Sequence, residues 1–213
     1  MAFYDLEEQE QLSALKSWWQ QWGTLLLLGI GLALAAIAGY QVWGWYKNKQ
    51  SLEAADVYGS LHKHVRAGDV KQAREAAASL TQHYPSTGYA GLGALVAARA
   101  NFEAGDLASA KQNLQWVLDH VRDEDIKAVA RFRLASVLLD EKQYDAALKL
   151  LDVKPEHPMI GLYADLRGDV LVAKGLTAEA RAAYQTAFEK TDAKSPYRNL
   201  IQLKIDSIGE PKS

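Results

Sequence analysis

Cysteine is absent from the 213 residues. That excludes disulfide frameworks, thiolate metal sites and cysteine nucleophiles. It leaves the compartment open, because a disulfide-free protein is viable in an oxidising space too. A surplus of one charge is missing as well: 24 Lys and Arg stand against 26 Asp and Glu, a net charge of −2. A nucleic-acid binder held by many phosphate contacts needs a basic surplus, so no nucleic-acid partner is expected. There is no convincing strand run, no phosphate-binding loop and no serine in a nucleophile elbow. Gly88, Gly91 and Gly93 lack the strand-then-helix setting of a dinucleotide site, and close helix packing explains them better. Histidines are few: His62, His64, His83, His120 and His157. His62 and His64 lie two apart on a predicted helix and point in different directions. None has an acidic neighbour at the spacing of a zinc helix. No catalytic residue, metal site or cofactor emerges, and function is expected to lie in surfaces.

What is present begins with an anchor. Between Lys16 and Lys47 no residue is charged, an asymmetry hidden by a mean hydropathy of −0.20. A helix over 23–45 is about 34 Å long, enough to cross a hydrocarbon core of about 30 Å with some tilt. Trp18, Trp19 and Trp22 precede it, and Tyr40, Trp43, Trp45 and Tyr46 close it. Indole and phenol rings prefer the headgroup level, so two such girdles are a specific sign of a span. Ala36-Ile37-Ala38 has the small-x-small form of a cleavage site. A signal peptide, however, wants a basic start and a short apolar region. This start carries Asp5, Glu7, Glu8 and Glu10 with Lys16 alone as cation, so a retained anchor is expected. One Lys before the span and two after it (Lys47, Lys49) lean toward a cytoplasmic C-terminal domain under the positive-inside rule. Counts this small decide little, and long domains translocate regardless of charge. Gly31, Ala35 and Gly39 lie four apart and form a small-residue stripe suited to close packing with another helix in the membrane.

Behind the anchor the chain is alanine-rich and repetitive. Four turn signals, Gly68-Asp69-Val70, Gly105-Asp106-Leu107, Lys142-Gln143-Tyr144 and Gly175-Leu176-Thr177, are followed by Ala73, Ala110, Ala147 and Ala180. Those alanines are 37, 37 and 33 residues apart, near the 34 of a tetratricopeptide helix–turn–helix. Seven residues before each turn stand Leu61, Ala98, Ala135 and Gly168, where the two helices of a unit approach closely. Four residues after each alanine stand Ala77, Leu114, Leu151 and Tyr184, which fill the gap between them. Helices are predicted near 51–66, 69–83, 88–103, 107–121, 124–141, 144–153, 159–173, 177–190 and 197–208. Pro155 and Pro158 separate the third and fourth units, Asp123-Glu124-Asp125 reads as an acidic first turn, and Ser195-Pro196 as an N-cap with Pro at the first helical position.

The expected fold is all-α: a short cytoplasmic segment over 1–22, a single transmembrane helix over 23–45, and a tetratricopeptide-like α-solenoid over 46–213. Its units run over 51–87, 88–123, 124–158 and 159–194, with a capping helix in 195–213. That helix sets Leu200, Leu203 and Ile208 on one side, extended by Ile201 and Ile205. An irregular alanine-rich helical bundle is the competing architecture. In such an array the first helices line a concave groove. Position in the unit places Tyr58, Val65, Leu95, Phe102, Phe132 and Leu139 there, with Arg99 and His62 between them. An apolar groove with scattered polar groups suits polypeptide segments; burial of some of these residues in the core is the alternative.

The layout resembles the ancillary SecYEG translocon subunit family (YfgM). The stretches that carry the resemblance are Asp123 to Leu134 (DEDIKAVARFRL), Ala164 to Gly175 (ADLRGDVLVAKG) with Ala180-Arg181, and Gln202 to Ile205 (QLKI). The resemblance covers essentially the whole chain, and these stretches mark kinship rather than a site. It implies a bacterial inner-membrane protein with its N-terminus in the cytoplasm and its repeat domain in the periplasm, the orientation opposite to the charge bias. It also implies association with the SecYEG translocon and the periplasmic chaperone PpiD, help in passing translocated client polypeptides to periplasmic chaperones, and a link to envelope-stress signalling. A membrane-anchored assembly scaffold unrelated to secretion, facing the cytoplasm, is the other function class open.

Overall fold

The computed structural model describes residues 4–154 and 156–208, with side chains from residue 11 onward, Ala14 apart. The acidic side chains at the start, Pro155 and the end of the expected cap therefore lie outside the described residues. Among the described residues all regular structure is helical: α1 (Tyr4–Arg66), α2 (Val70–His83), α3 (Gly88–Glu103), α4 (Leu107–His120), α5 (Glu124–Asp140), α6 (Tyr144–Leu150), α7 (Ile160–Ala173), α8 (Thr177–Lys190) and α9 (Tyr197–Ser207). The chain divides into two compact units, one up to Gln50 and one from Ser51 onward.

The first unit is the apolar part of α1. This helix is long and apolar enough to cross a membrane, and its most apolar stretch is wholly exposed. A core helix of a soluble protein would be covered; a continuous exposed run of Leu, Ile and Trp matches lipid as its solvent. At the C-terminal girdle Lys47 lies 3.8 Å from the centre of the Trp43 ring and Lys49 lies 5.7 Å from that of Trp45. These are cation–π contacts, and Trp and Lys together are side chains that favour a membrane–water interface. The expected span over 23–45 and the expected helix near 51–66 both fall within α1, and the second unit begins at Ser51. No glycine or proline interrupts residues 45–58, so nothing in the sequence stops the backbone ladder.

The second unit is built on four left-handed turns. At Gly68, Gly105, Lys142 and Gly175 φ is 72°, 78°, 61° and 84°. At each, the following N–H reaches back to the carbonyl five residues earlier: Asp69 to His64 at 3.0 Å, and Asp106 to Asn101, Gln143 to Leu138 and Leu176 to Leu171 at 2.8 Å. That is a Schellman closure, and glycine takes its left-handed position without Cβ strain. Lys142 adopts it without that freedom. Asp69 and Asp106 then cap the second helices, accepting from the N–H of Gln72 and Ser109, and Asp123 caps α5 from Asp125 and Ile126. Ser195 accepts from the N–H of Tyr197, with Pro196 already helical at φ −57°.

Within each unit the two helices meet through a large side chain against a small one. The pairs are Leu61 with Ala77, Ala98 with Leu114, Ala135 with Leu151, and Gly168 with Tyr184. Each of the named Leu, Ala and Tyr residues is at most 3% exposed. The order of large and small is inverted in the first unit and stretched to its limit in the fourth. A Cβ on Gly168 would stand 2.3 Å from the Tyr184 ring. Close packing tolerates either order provided the summed volume is kept.

Two elements differ from expectation. Helix α6 ends at Leu150 rather than near 153. Leu151 turns into the core at 3% exposed, and the chain ahead runs to a proline that steers Lys154 out of the helical region. In α9, Ile201 and Ile205 face inward at 0% and 8% exposure, while Leu200 and Leu203 stay at 47% and 64%. Lys204 fixes that rotation through its contacts with Asp165 and Asp169 on α7.

Candidate peptide groove

The first helices of the first three units (the end of α1, then α3 and α5) carry the residues expected to line the groove. Tyr58 is half-buried, its ring 5.5 Å from that of Tyr89 and 4.6 Å from that of His62. Val65 packs against the same small core around Leu61 and Leu80. Leu95 is 7% exposed and belongs to the main core. It is buried because α5 crosses α3 there: the Arg133 Nη1 donates to the Leu95 carbonyl oxygen at 3.0 Å. Phe132 and Leu139 are half-buried against that core, and the Phe132 ring lies 6.0 Å from that of Tyr163.

Arg99 and Phe102 are the two that line one cavity together. They line a cavity of about 290 Å³ with Ala98, Leu114, Arg133, Ser136 and Val137. Phe102 is 38% exposed. Arg99 is exposed and pairs with Glu103 at 2.8 Å, a hydrogen bond that raises its pKa above the ordinary arginine value. Arg133 behaves oppositely. Burial, and then the like charge of Arg99, pull it below that value. It stays a cation in any physiological medium, and no carboxylate pairs with it among the described residues. Arg133 was not expected in the groove. One signal could have found it: the corresponding positions in the adjacent units hold Val96 and Leu166, so a guanidinium there departs from an apolar pattern.

At the fourth unit the same side of the array carries acid. Asp165 is 3% exposed. Lys204 of α9 reaches Asp165 Oδ2 and Asp169 Oδ1 at 2.8 Å each. Tyr197 donates to Asp165 and Tyr184 to Asp169. Burial alone would lower the Lys204 pKa; its hydrogen bonds to the two carboxylates outweigh that and raise it. Burial, reinforced by those carboxylates, pushes both tyrosines well above the ordinary phenol range. This patch is closed by the chain itself, and the cavity beside Arg133 is not.

Gly31 and Gly39 of the stripe have open space where a side chain would be.

A family profile described as a tetratricopeptide repeat-like domain matches residues 16–210. The chain is 35% identical over 204 residues to a protein of Neisseria gonorrhoeae named ancillary SecYEG translocon subunit, covering 95% of this chain and 98% of the relative. It is 30% identical to the protein of that name from Escherichia coli, covering 98% and 99%. The Haemophilus influenzae protein of the same name is 28% identical, over 96% and 99%.

Proposed function

The chain belongs to the family of the ancillary SecYEG translocon subunits, and from that premise we propose that it is a non-enzymatic partner of the SecYEG translocon in a bacterial inner membrane. The observation that carries this reading is the extent of the likeness: 95% of this chain aligns with 98% of a relative so named, so anchor and repeat array are shared together. Residues 1–22 lie in the cytoplasm, 23–45 cross the bilayer and 46–213 form the periplasmic repeat domain. There the groove receives translocated polypeptides and passes them to periplasmic chaperones, PpiD among them, and the protein links this traffic to envelope-stress signalling. The Gly31, Ala35 and Gly39 face takes a neighbouring span, since packing rather than hydrophobicity drives helix association in lipid.

Pull-down from native membranes tests the partnership: SecYEG subunits and PpiD should be recovered with the chain, and Gly31→Leu with Gly39→Leu should reduce that recovery. The native lack of cysteine makes topology clean to read. With single cysteines at Ser13 or the exposed Ser86, an impermeant thiol reagent added to intact cells should label position 86 alone. Labelling of position 13 alone would place the repeats in the cytoplasm, the arrangement the flanking lysines favour.

A further inference from the structure

Phe102 and Arg133 occupy one cavity, and their needs are different. Phe102 presents 38% of its surface to water, an apolar area that a bound side chain would cover. Arg133 is half-buried, and its pKa is lowered by that burial and by Arg99. A guanidinium carries five N–H donors in a planar fork. The Leu95 carbonyl takes one of them, and Glu103 is engaged by Arg99. A half-buried cation without a counter-charge has lost part of its hydration and gains from a negative group that meets it. The fourth unit shows how this chain treats such a charge when it closes the surface itself: Asp165 and Asp169 are answered by Lys204, which α9 brings to them.

We propose that the cavity between α3 and α5 selects polypeptide segments by an acidic side chain, an Asp or Glu whose carboxylate meets Arg133 and Arg99 while an adjacent apolar side chain packs on Phe102. This deepens the groove reading above and rests on it. The carboxylate is the chemistry that the guanidinium fork fits, since planar paired N–H groups match two oxygens. The apolar neighbour follows from the exposed Phe102, with Leu114 and Val137 also lining the cavity. The array admits client segments of mixed acidic and apolar character and disfavours basic ones, because a Lys or Arg there faces Arg133, while the nearby Glu103 carboxylate is already held by Arg99.

The test uses the full-length chain in detergent micelles and short peptides blocked at both ends, so that only side-chain carboxylates are present. One peptide alternates Glu with Leu and Phe; its twin carries Lys for every Glu. Fluorescence anisotropy should show the acidic peptide bound and the basic twin not. Arg133→Gln keeps a donor for Leu95 and removes the charge, and should weaken the acidic peptide at least about tenfold, the worth of one charged hydrogen bond. Arg99→Glu, at an exposed position that does not endanger folding, should shift the preference toward the basic twin. Added salt should weaken the acidic complex. Equal binding of both peptides to the unaltered chain overturns the proposal. If Phe102→Ala weakens binding while Arg133→Gln and Arg99→Glu leave it unchanged, the groove stands and its acidic selectivity falls. If none of the three variants alters binding, the groove reading falls with it.

Discussion

The second and third units on one side, and the fourth on the other, use the same helix positions in opposite ways. Phe102 and Val172 each stand four residues beyond the small residue of their unit, and each is 38% exposed. Exposure does not tell them apart. Charge does: in the fourth unit Lys204 lies between the carboxylates of Asp165 and Asp169, with Tyr197 and Tyr184 donating to them, whereas beside Phe102 the Arg133 guanidinium meets one backbone carbonyl. An exposed apolar residue is ordinary. An exposed apolar residue next to a half-buried charge without a carboxylate partner is the feature on which the groove proposal rests.

The comparison breaks first where the core is shared. Leu114→Ala and Leu151→Ala remove side chains that are 1% and 3% exposed, and each should cost about 2–5 kcal/mol. The pair should melt the second and third units together in a urea titration. Lys204→Met acts on the fourth unit alone. It leaves the buried Asp165 without its cation and should cost about 3 kcal/mol, the low end for a broken buried pair because Lys204 keeps some contact with water. Hydrogen exchange should report the loss in α7–α9 and spare α3–α5. Gly168→Ala drives a methyl group toward the Tyr184 ring, at about 1–3 kcal/mol. Tyr184→Leu in that background recreates the Ala–Leu pairing of the second and third units and should recover part of the loss in thermal melts.

Alkaline pH sharpens the contrast further. Lys204, Tyr184 and Tyr197 all have raised pKa values in the folded chain. The unfolded chain therefore releases those protons first, starting near the model-peptide pKa values of about 10. Their stabilisation is complete below that pH and is lost as pH rises toward the folded values. The fourth unit should loosen above about pH 10 before its neighbours do, and Tyr197→Phe should reduce that slope. The smallest effect is at the groove: Phe102→Ala should cost only about 1 kcal/mol of stability, since its side chain is part-exposed, while weakening client binding.

Much of this was written in the sequence. The turn residues Gly68, Gly105 and Gly175 and the alanines behind them place the helices of the first, second and fourth units, because a left-handed closure and a close helix contact each demand a particular residue type. Lys142 marked the third turn only through its spacing. The groove was less legible. Position within a unit put Tyr58, Leu95, Phe102 and Phe132 on one face, but how deeply a face is buried depends on where the next helix lies. α5 crosses α3 at Leu95 and removes it from the surface, and nothing local to Leu95 announces that. Arg133 is not legible from periodicity, which follows apolar residues.

A photo-crosslinking amino acid placed at position 102, and separately at position 172, in cells exporting a labelled secretory protein tests the central claim most directly. The two sites match in register and exposure, so reach and reactivity are shared and only the chemistry around them differs. Crosslinks to the exported polypeptide at 102, lost on adding Arg133→Gln, and none at 172, are predicted. Equal crosslinking at both sites, or crosslinking at 172 alone, would contradict the account.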